Sequence, residues 1–178
     1  MKRGSALLVI DMINPFSYPG GTASLRAAKT IAGTVHGIAQ RFRRRGAPCI
    51  YVNDNFGQWQ SDFRALLDMV SRTRGAALLE RVVPADGDLF VLKPKHSAFY
   101  QTPLPSLLES LGVESLVLCG IETDSCVMAT AMDAHMREYA VRVPSNGTGS
   151  SSPARQRAAL LLMRHSKIDT RPWRSGRD

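Results

Sequence analysis

The feature that most limits what this chain can fold into is a series of short apolar runs separated by stretches of helical length. The runs are ALLVI (6–10), PCIYV (48–52), LFVL (89–92), SLVLC (115–119) and YAVRV (139–143), with KIDT (167–170) as a fainter sixth. Helical patterns fall between them at about 23–45, 61–73, 103–111, 124–138 and 153–165. Strands apolar on both faces need cover on both faces, and connections of helical length permit parallel pairing. The expected fold is therefore α/β: a doubly wound, Rossmann-like three-layer α/β/α sandwich.

Local chemistry supports several boundaries. Gly46 and Gly112 stand where helices should stop. Thr123, Asp124 and Ser125 offer capping groups ahead of a helical pattern, and Pro153, after three serines, suits the first turn of the last long helix. With 178 residues and no linker, repeat or low-complexity segment, residues 1–178 are expected to form a single domain.

Composition narrows the function classes. The apolar share is 44% and the charged share 21%, ordinary for a globular chain. The apolar run near the amino terminus ends at Asp11, too short for a secretory core, and no stretch has the length of a membrane span. A cytoplasmic location is expected. Cys49, Cys119 and Cys126 are odd in number and lack CxxC spacing, which favours reduced thiols. The net charge of +8 is concentrated in RFRRR (41–45) and the tail after Arg171. The first cluster closes a predicted helix, where cations favour the dipole. No nucleic-acid module accompanies it, which argues against a nucleic-acid partner.

In open parallel sheets, ligands sit beyond the carboxyl ends of the strands. Asp11 follows the first run, Lys93 follows the third, and Cys126 lies one turn past the fourth. A carboxylate, an ammonium and a thiol on one sheet edge form a nucleophilic set. A nearby lysine and a helix start are expected to lower the thiol pKa, with Asp11 accepting the thiol proton and later delivering one to the leaving group. Taken singly, each residue has a plain structural alternative: a packed cysteine, a turn-capping aspartate, a solvated lysine. Cys49 and Cys119, inside strands, are read that way.

Four segments carry a family resemblance: LVIDMINPF (8–16), YVNDNFGQW (51–59), LKPKHSAFYQTPL (92–104) and CGIETDSCVMATAMDA (119–134). Together they resemble the isochorismatase-like cysteine hydrolases. The resemblance implies a six-stranded parallel sheet and a catalytic triad of Asp11, Lys93 and Cys126; the offset to SAF selects Lys93 over Lys95. It also implies a cis peptide at Ile121–Glu122 and an oxyanion hole from the backbone N–H groups of Glu122 and Cys126. The implied reaction is cleavage of a small-molecule amide, ureido or carbamoyl C–N bond through an acyl-enzyme. Dimers or tetramers of the chain are implied as well.

Two departures shape the assignment. Relatives that bind a metal carry Asp-x-His after the second strand, whereas Asp54 is followed two residues later by Phe56, so no metal or other cofactor is expected. Relatives that cleave a vinyl ether generally lack the cysteine, so Cys126 leans away from that activity. It stays open as an alternative with Asp11 as the acid, beside a non-catalytic basic binding protein. Phe16, Asp54, Trp59 and Phe99 are candidate pocket residues through their nearness to the motifs, with core packing as the alternative for the aromatics. His96 is placed either at the site or on the surface, and the role of Asn146 in PSNGT (144–148) is left open.

Overall fold

The computed structural model describes residues 4–59 and 62–174. The chain opens with β1 (Ser5–Ile10), α1 (Gly21–Arg44), β2 (Cys49–Asp54), α2 (Phe63–Ser71) and α3 (Ala76–Val82). It continues through β3 (Leu89–Lys93), α4 (Leu104–Ser110) and β4 (Ser115–Ile121). A π-helical turn (Thr123–Val127) leads into α5 (Met128–Met136), followed by β5 (Ala140–Arg142), β6 (Thr148–Gly149) and α6 (Pro153–His165).

All the strand pairs are parallel, in the order β3-β2-β1-β4-β5, with β6 also on β4. Alternation along the strands divides the core in two. Leu7, Val9, Cys49, Tyr51, Val117 and Cys119 face α1, α2 and α3. Leu8, Ile10, Ile50, Val52, Leu116 and Leu118 face α4, α5 and α6. This is the three-layer α/β/α sandwich with a six-stranded parallel sheet.

Helix α1 forms because Ala28, Ile31, Ala32, Val35, Ile38, Ala39 and Phe42 recur at helical spacing and are all buried. It ends with Arg41, Arg43 and Arg44 in its last turn, and Gly46 follows at φ 63°. The RFRRR cluster is partly structural: Arg43 pairs with the buried Asp88 and donates to the Tyr51 hydroxyl at 3.2 Å. Asp62 caps α2 by accepting from the N–H groups of Arg64 and Ala65, and Ser152 caps α6 ahead of Pro153.

The structure corrects three local expectations. The sixth strand is Thr148–Gly149, not 167–170; there only Asp169 makes a single bridge, to Arg142. Helix α3 has no counterpart among the predicted elements. Thr123, Asp124 and Ser125 do not cap a helix, because their side chains are engaged elsewhere. Thr123 meets the Thr148 hydroxyl at 2.7 Å, Asp124 accepts from Ser150 and pairs with Arg155, and Ser125 meets His96.

Two glycines set the site edge. Gly120 has φ 119°, and a Cβ there would strike the Ile10 carbonyl oxygen, so β4 can lie close to the end of β1 only as glycine. A Cβ on Gly75 would strike the Asn14 carbonyl, which lets the turn before α3 press against the loop after β1.

Candidate active site

The direction of the sheet order reverses between β1 and β4, and the polar residues collect at the carboxyl ends of the strands on either side. Asp11 is the first residue past β1 and takes φ 52°, a conformation aspartate tolerates better than most residues. Lys93 ends β3, and Asp54, paired with it in register, ends β2. Cys126 sits in the π-helical turn after β4. Asn53, fully buried, donates to the Ile13 carbonyl at 2.6 Å and holds the loop that follows Asp11.

These side chains meet. The Lys93 ammonium lies 2.9 Å from Asp11 Oδ2, 3.4 Å from Cys126 Sγ and 3.9 Å from Asp54 Oδ2. Asp11 Oδ1 accepts the Asp54 backbone N–H at 2.8 Å. Lys93 has no exposed surface and Asp11 is 5% exposed. Such a pair is held by its geometry, since a buried charge without a partner costs several kcal/mol. Burial pulls the Lys93 pKa down, but Asp11, the Cys126 sulfur and Asp54 outweigh it and hold the ammonium above its ordinary value.

The thiol departs from the sequence expectation. Burial and the adjacent Asp11 carboxylate push Cys126 up to about 12, against the opposing pull of Lys93. A neighbouring cation alone does not settle the sign when the sulfur is desolvated and faces a carboxylate. Both influences favour the neutral thiol over the thiolate.

Further groups lie around the site. His96 Nδ1 lies 3.6 Å from Cys126 Sγ and 3.2 Å from Ser125 Oγ. The Ile121–Glu122 peptide is cis. The Glu122 carboxylate accepts the Ser151 N–H at 2.6 Å, while its Oε1 is buried with no partner among the described residues. Tyr18, on the loop after β1, is raised by partial burial, with the Ser24 hydrogen bond opposing and the proximity of Glu122, Asp11 and Cys126 adding to the rise. Tyr18 was missed in sequence; its position seven residues past Asp11 was the available signal.

The aromatic pocket candidates do not gather here. Phe16 is fully buried in the core beside α1, and Phe99 packs in the opposite core layer against Tyr139, with Arg137 over its ring. Nearness in the chain did not specify the direction in which either ring points. Trp59 is 80% exposed. Of the four candidates, Asp54 alone contacts the polar cluster. Asn146 has a structural task, accepting the Trp173 N–H at 2.7 Å and donating to its carbonyl at 3.1 Å.

The residues do not fit a metal centre of the Asp-x-His type. Asp54 Oδ1 is held by the Phe56 N–H at 2.6 Å, and Phe56 brings no ligand atom. Among the described residues, no three His, Cys, Asp or Glu side chains form a group that could hold a metal ion. No helix is long and apolar enough to cross a membrane, among the described residues.

Comparison with known proteins places this chain in a family. The Isochorismatase domain model matches residues 5–172. An isochorismatase family protein of Bacillus subtilis, YaaI, is 36% identical over 91% of this chain and 90% of its own length. The ureidoacrylate amidohydrolase RutB of Methylorubrum extorquens is 31% identical, covering 88% of this chain and 74% of that protein. The crystal structure of an isochorismatase family protein from Desulfovibrio vulgaris superposes with a TM-score of 0.78 at 27% identity, over 96% of this chain and 95% of that one. The chain belongs to the isochorismatase family and is a hydrolase.

Proposed function

We propose that the chain is a cysteine hydrolase that cleaves a C–N bond of a small amide, ureido or carbamoyl compound through an acyl-enzyme on Cys126. The observation that carries the reading is the Asp11–Lys93–Cys126 contact set, with one ammonium within 3.4 Å of both a carboxylate and a sulfur. The similarity to an amidohydrolase favours the amide-type substrate class.

The mechanism follows from the charges. A thiol near 12 is a poor nucleophile at neutral pH, so attack needs its proton to leave as the C–S bond forms. Asp11 is the acceptor, and Lys93 holds the carboxylate while stabilising the developing thiolate. The oxyanion is assigned to the backbone N–H groups of Glu122 and Cys126, donors of the kind that typically contribute about 3 kcal/mol. Loss of the amine leaves a thioester, which water hydrolyses.

The test is a panel of small amides, ureas and carbamoyl compounds that includes ureidoacrylate. Ammonia or amine release is measured alongside the mass of Cys126-containing peptides. Turnover with a transient acyl adduct, both abolished in Cys126→Ala, is expected. Release unchanged in that variant, or unaffected by thiol alkylation, would remove the nucleophile.

A further inference from the structure

The basic character of α1 is only partly accounted for by the fold. The helix carries Arg26, Lys29, Arg41, Arg43 and Arg44 and no acidic residue. Arg43 is paired with Asp88, but neither Arg41 nor Arg44 has a carboxylate partner among the described residues. The negative end of the helix dipole accounts for cations in this last turn. It does not account for Arg41 Nε, which is buried with no hydrogen-bond partner among the described residues. A buried donor left in that way costs free energy until an acceptor reaches it.

Arg41 and Arg44 line a cavity of about 400 Å³ between α1, the loop before β6 and the segment after α6. Residues three apart share a helix face, so the two guanidinium groups serve the same space. Gly33 and Gly37 form its wall one and two turns earlier, and a Cβ on either would meet nothing within 4 Å. The rest of the chain contributes Asn146 and Trp173, joined by the two bonds from the Asn146 side chain to the Trp173 backbone. Arg142 lies 5.0 Å over the indole ring. Gln40, held by His36 at 2.8 Å, accepts from Arg44 Nη1 at 3.5 Å. Among the described residues no acidic side chain lines the cavity, and it shares no lining residue with the Asp11, Lys93 and Cys126 cluster.

We propose that this cavity binds a small phosphate monoester, with the phosphate on Arg41 and Arg44 and the organic part against Trp173. Two guanidinium groups without an acidic neighbour suit a dianion, and their planar donor forks match the oxygens of a phosphate. Arg41 Nε then gains the acceptor that the protein itself does not supply. The volume is that of a small-molecule site and exceeds what a bare phosphate ion fills, so the phosphate is carried on an organic group. The uncovered helix surface at Gly33 and Gly37 leaves room for that group. The site stands apart from the Cys126 chemistry and does not depend on it.

The experiment titrates the full chain with phenyl phosphate, inorganic phosphate, phthalate and a short single-stranded DNA at physiological salt. Binding is read by calorimetry and by Trp173 emission in a Trp59→Phe background, which leaves Trp173 as the one tryptophan. Phenyl phosphate is expected to saturate at one site per chain, to change Trp173 emission and to bind more tightly than the other three. Arg41→Gln should weaken it on the order of 10- to 100-fold, the value of a charge-assisted hydrogen bond, and Arg41→Lys should not restore it. Gly37→Leu, which fills the cavity from an open helix position, should abolish binding while thermal unfolding stays level or rises. Alkylation of Cys126 should leave binding unchanged. Absence of saturation, binding of phthalate or DNA as tight as that of phenyl phosphate, or full affinity in folded Arg41→Gln would overturn the site. Inorganic phosphate binding as tightly as phenyl phosphate would overturn the ester, and loss of binding on alkylation would move the ligand to the Cys126 cluster and overturn a separate site.

Discussion

Replacing Asp11 by asparagine should move thiol reactivity and hydrolysis in opposite directions. The Cys126 thiol is raised from 9.0 to about 12 by burial and then by Asp11, with Lys93 opposing. At pH 8 only about one thiol in 10⁴ is ionised on that basis. Asp11→Asn keeps the burial and the Lys93 contact but removes the carboxylate charge. An adjacent charge changes a group's acidity by about tenfold to a thousandfold, so the thiolate fraction at pH 8 should rise about 10- to 1000-fold. Lys93 keeps its charge through Asp54 at 3.9 Å and the thiolate itself.

Iodoacetamide incorporation at Cys126, read by peptide mass spectrometry, should accelerate by that factor. Cys49 and Cys119 serve as internal standards, since both are buried and both are raised to about 12. Amide turnover should fall by on the order of 10²-fold or more, because no acceptor remains for the thiol proton. Alkylation that slows or stays level, or hydrolysis that survives in a folded variant, would refute the assignment of Asp11 as both the obstacle to the thiolate and the partner in its formation.

Gly120→Ala should cost at least about 3 kcal/mol in urea denaturation, because its Cβ meets the Ile10 carbonyl at positive φ; Gly33→Ala on α1, where nothing lies within 4 Å, should instead gain about 0.5–1 kcal/mol. Asn146→Ala removes both bonds to the Trp173 backbone and should cost about 1–2 kcal/mol, with a red shift in Trp173 emission measured in a Trp59→Phe background. The buried thiols Cys49 and Cys119, raised from 9.0 to about 12, keep their protons in the folded state while unfolded thiols ionise above pH 9. Their stability contribution is whole below pH 9 and is lost as pH rises toward 12. Between pH 8 and 10 the fall should be shallower by about 3 kcal/mol in a Cys49→Ala, Cys119→Ala variant, measured by denaturation at each pH.

The strands of the sheet were legible where burial on two faces left a continuous apolar run. Leu7 and Val9 point to one core layer and Leu8 and Ile10 to the other, so β1 reads as unbroken hydrophobicity. Strand β6 could not be read this way. Its two residues, Thr148 and Gly149, are buried because the chain is pressed close, with the Gly120 N–H bonded to the Gly147 carbonyl and Gly149 close to Ala27. Helix α3 was hidden for a related reason: it buries only Leu78 and Val82 and has no side-chain cap. Elements held by close approach leave little trace in hydrophobic spacing.

The site shows the same division. That Asp11, Lys93 and Cys126 would share an edge followed from their places just past three strand ends, a one-dimensional fact in a parallel sheet. The direction in which the sulfur's acidity moves did not follow, because burial and the Asp11 carboxylate push it one way and Lys93 the other, each by an amount set by packing and distance. Nor did the aromatic lining follow, since Phe16 and Phe99 neighbour the motifs yet enter opposite core layers. Sequence position told which groups arrive at the edge, whereas their protonation and facing required the packed environment. For the proposed mechanism the raised thiol is the consequence that matters, because it would make proton transfer to Asp11 part of the attack itself.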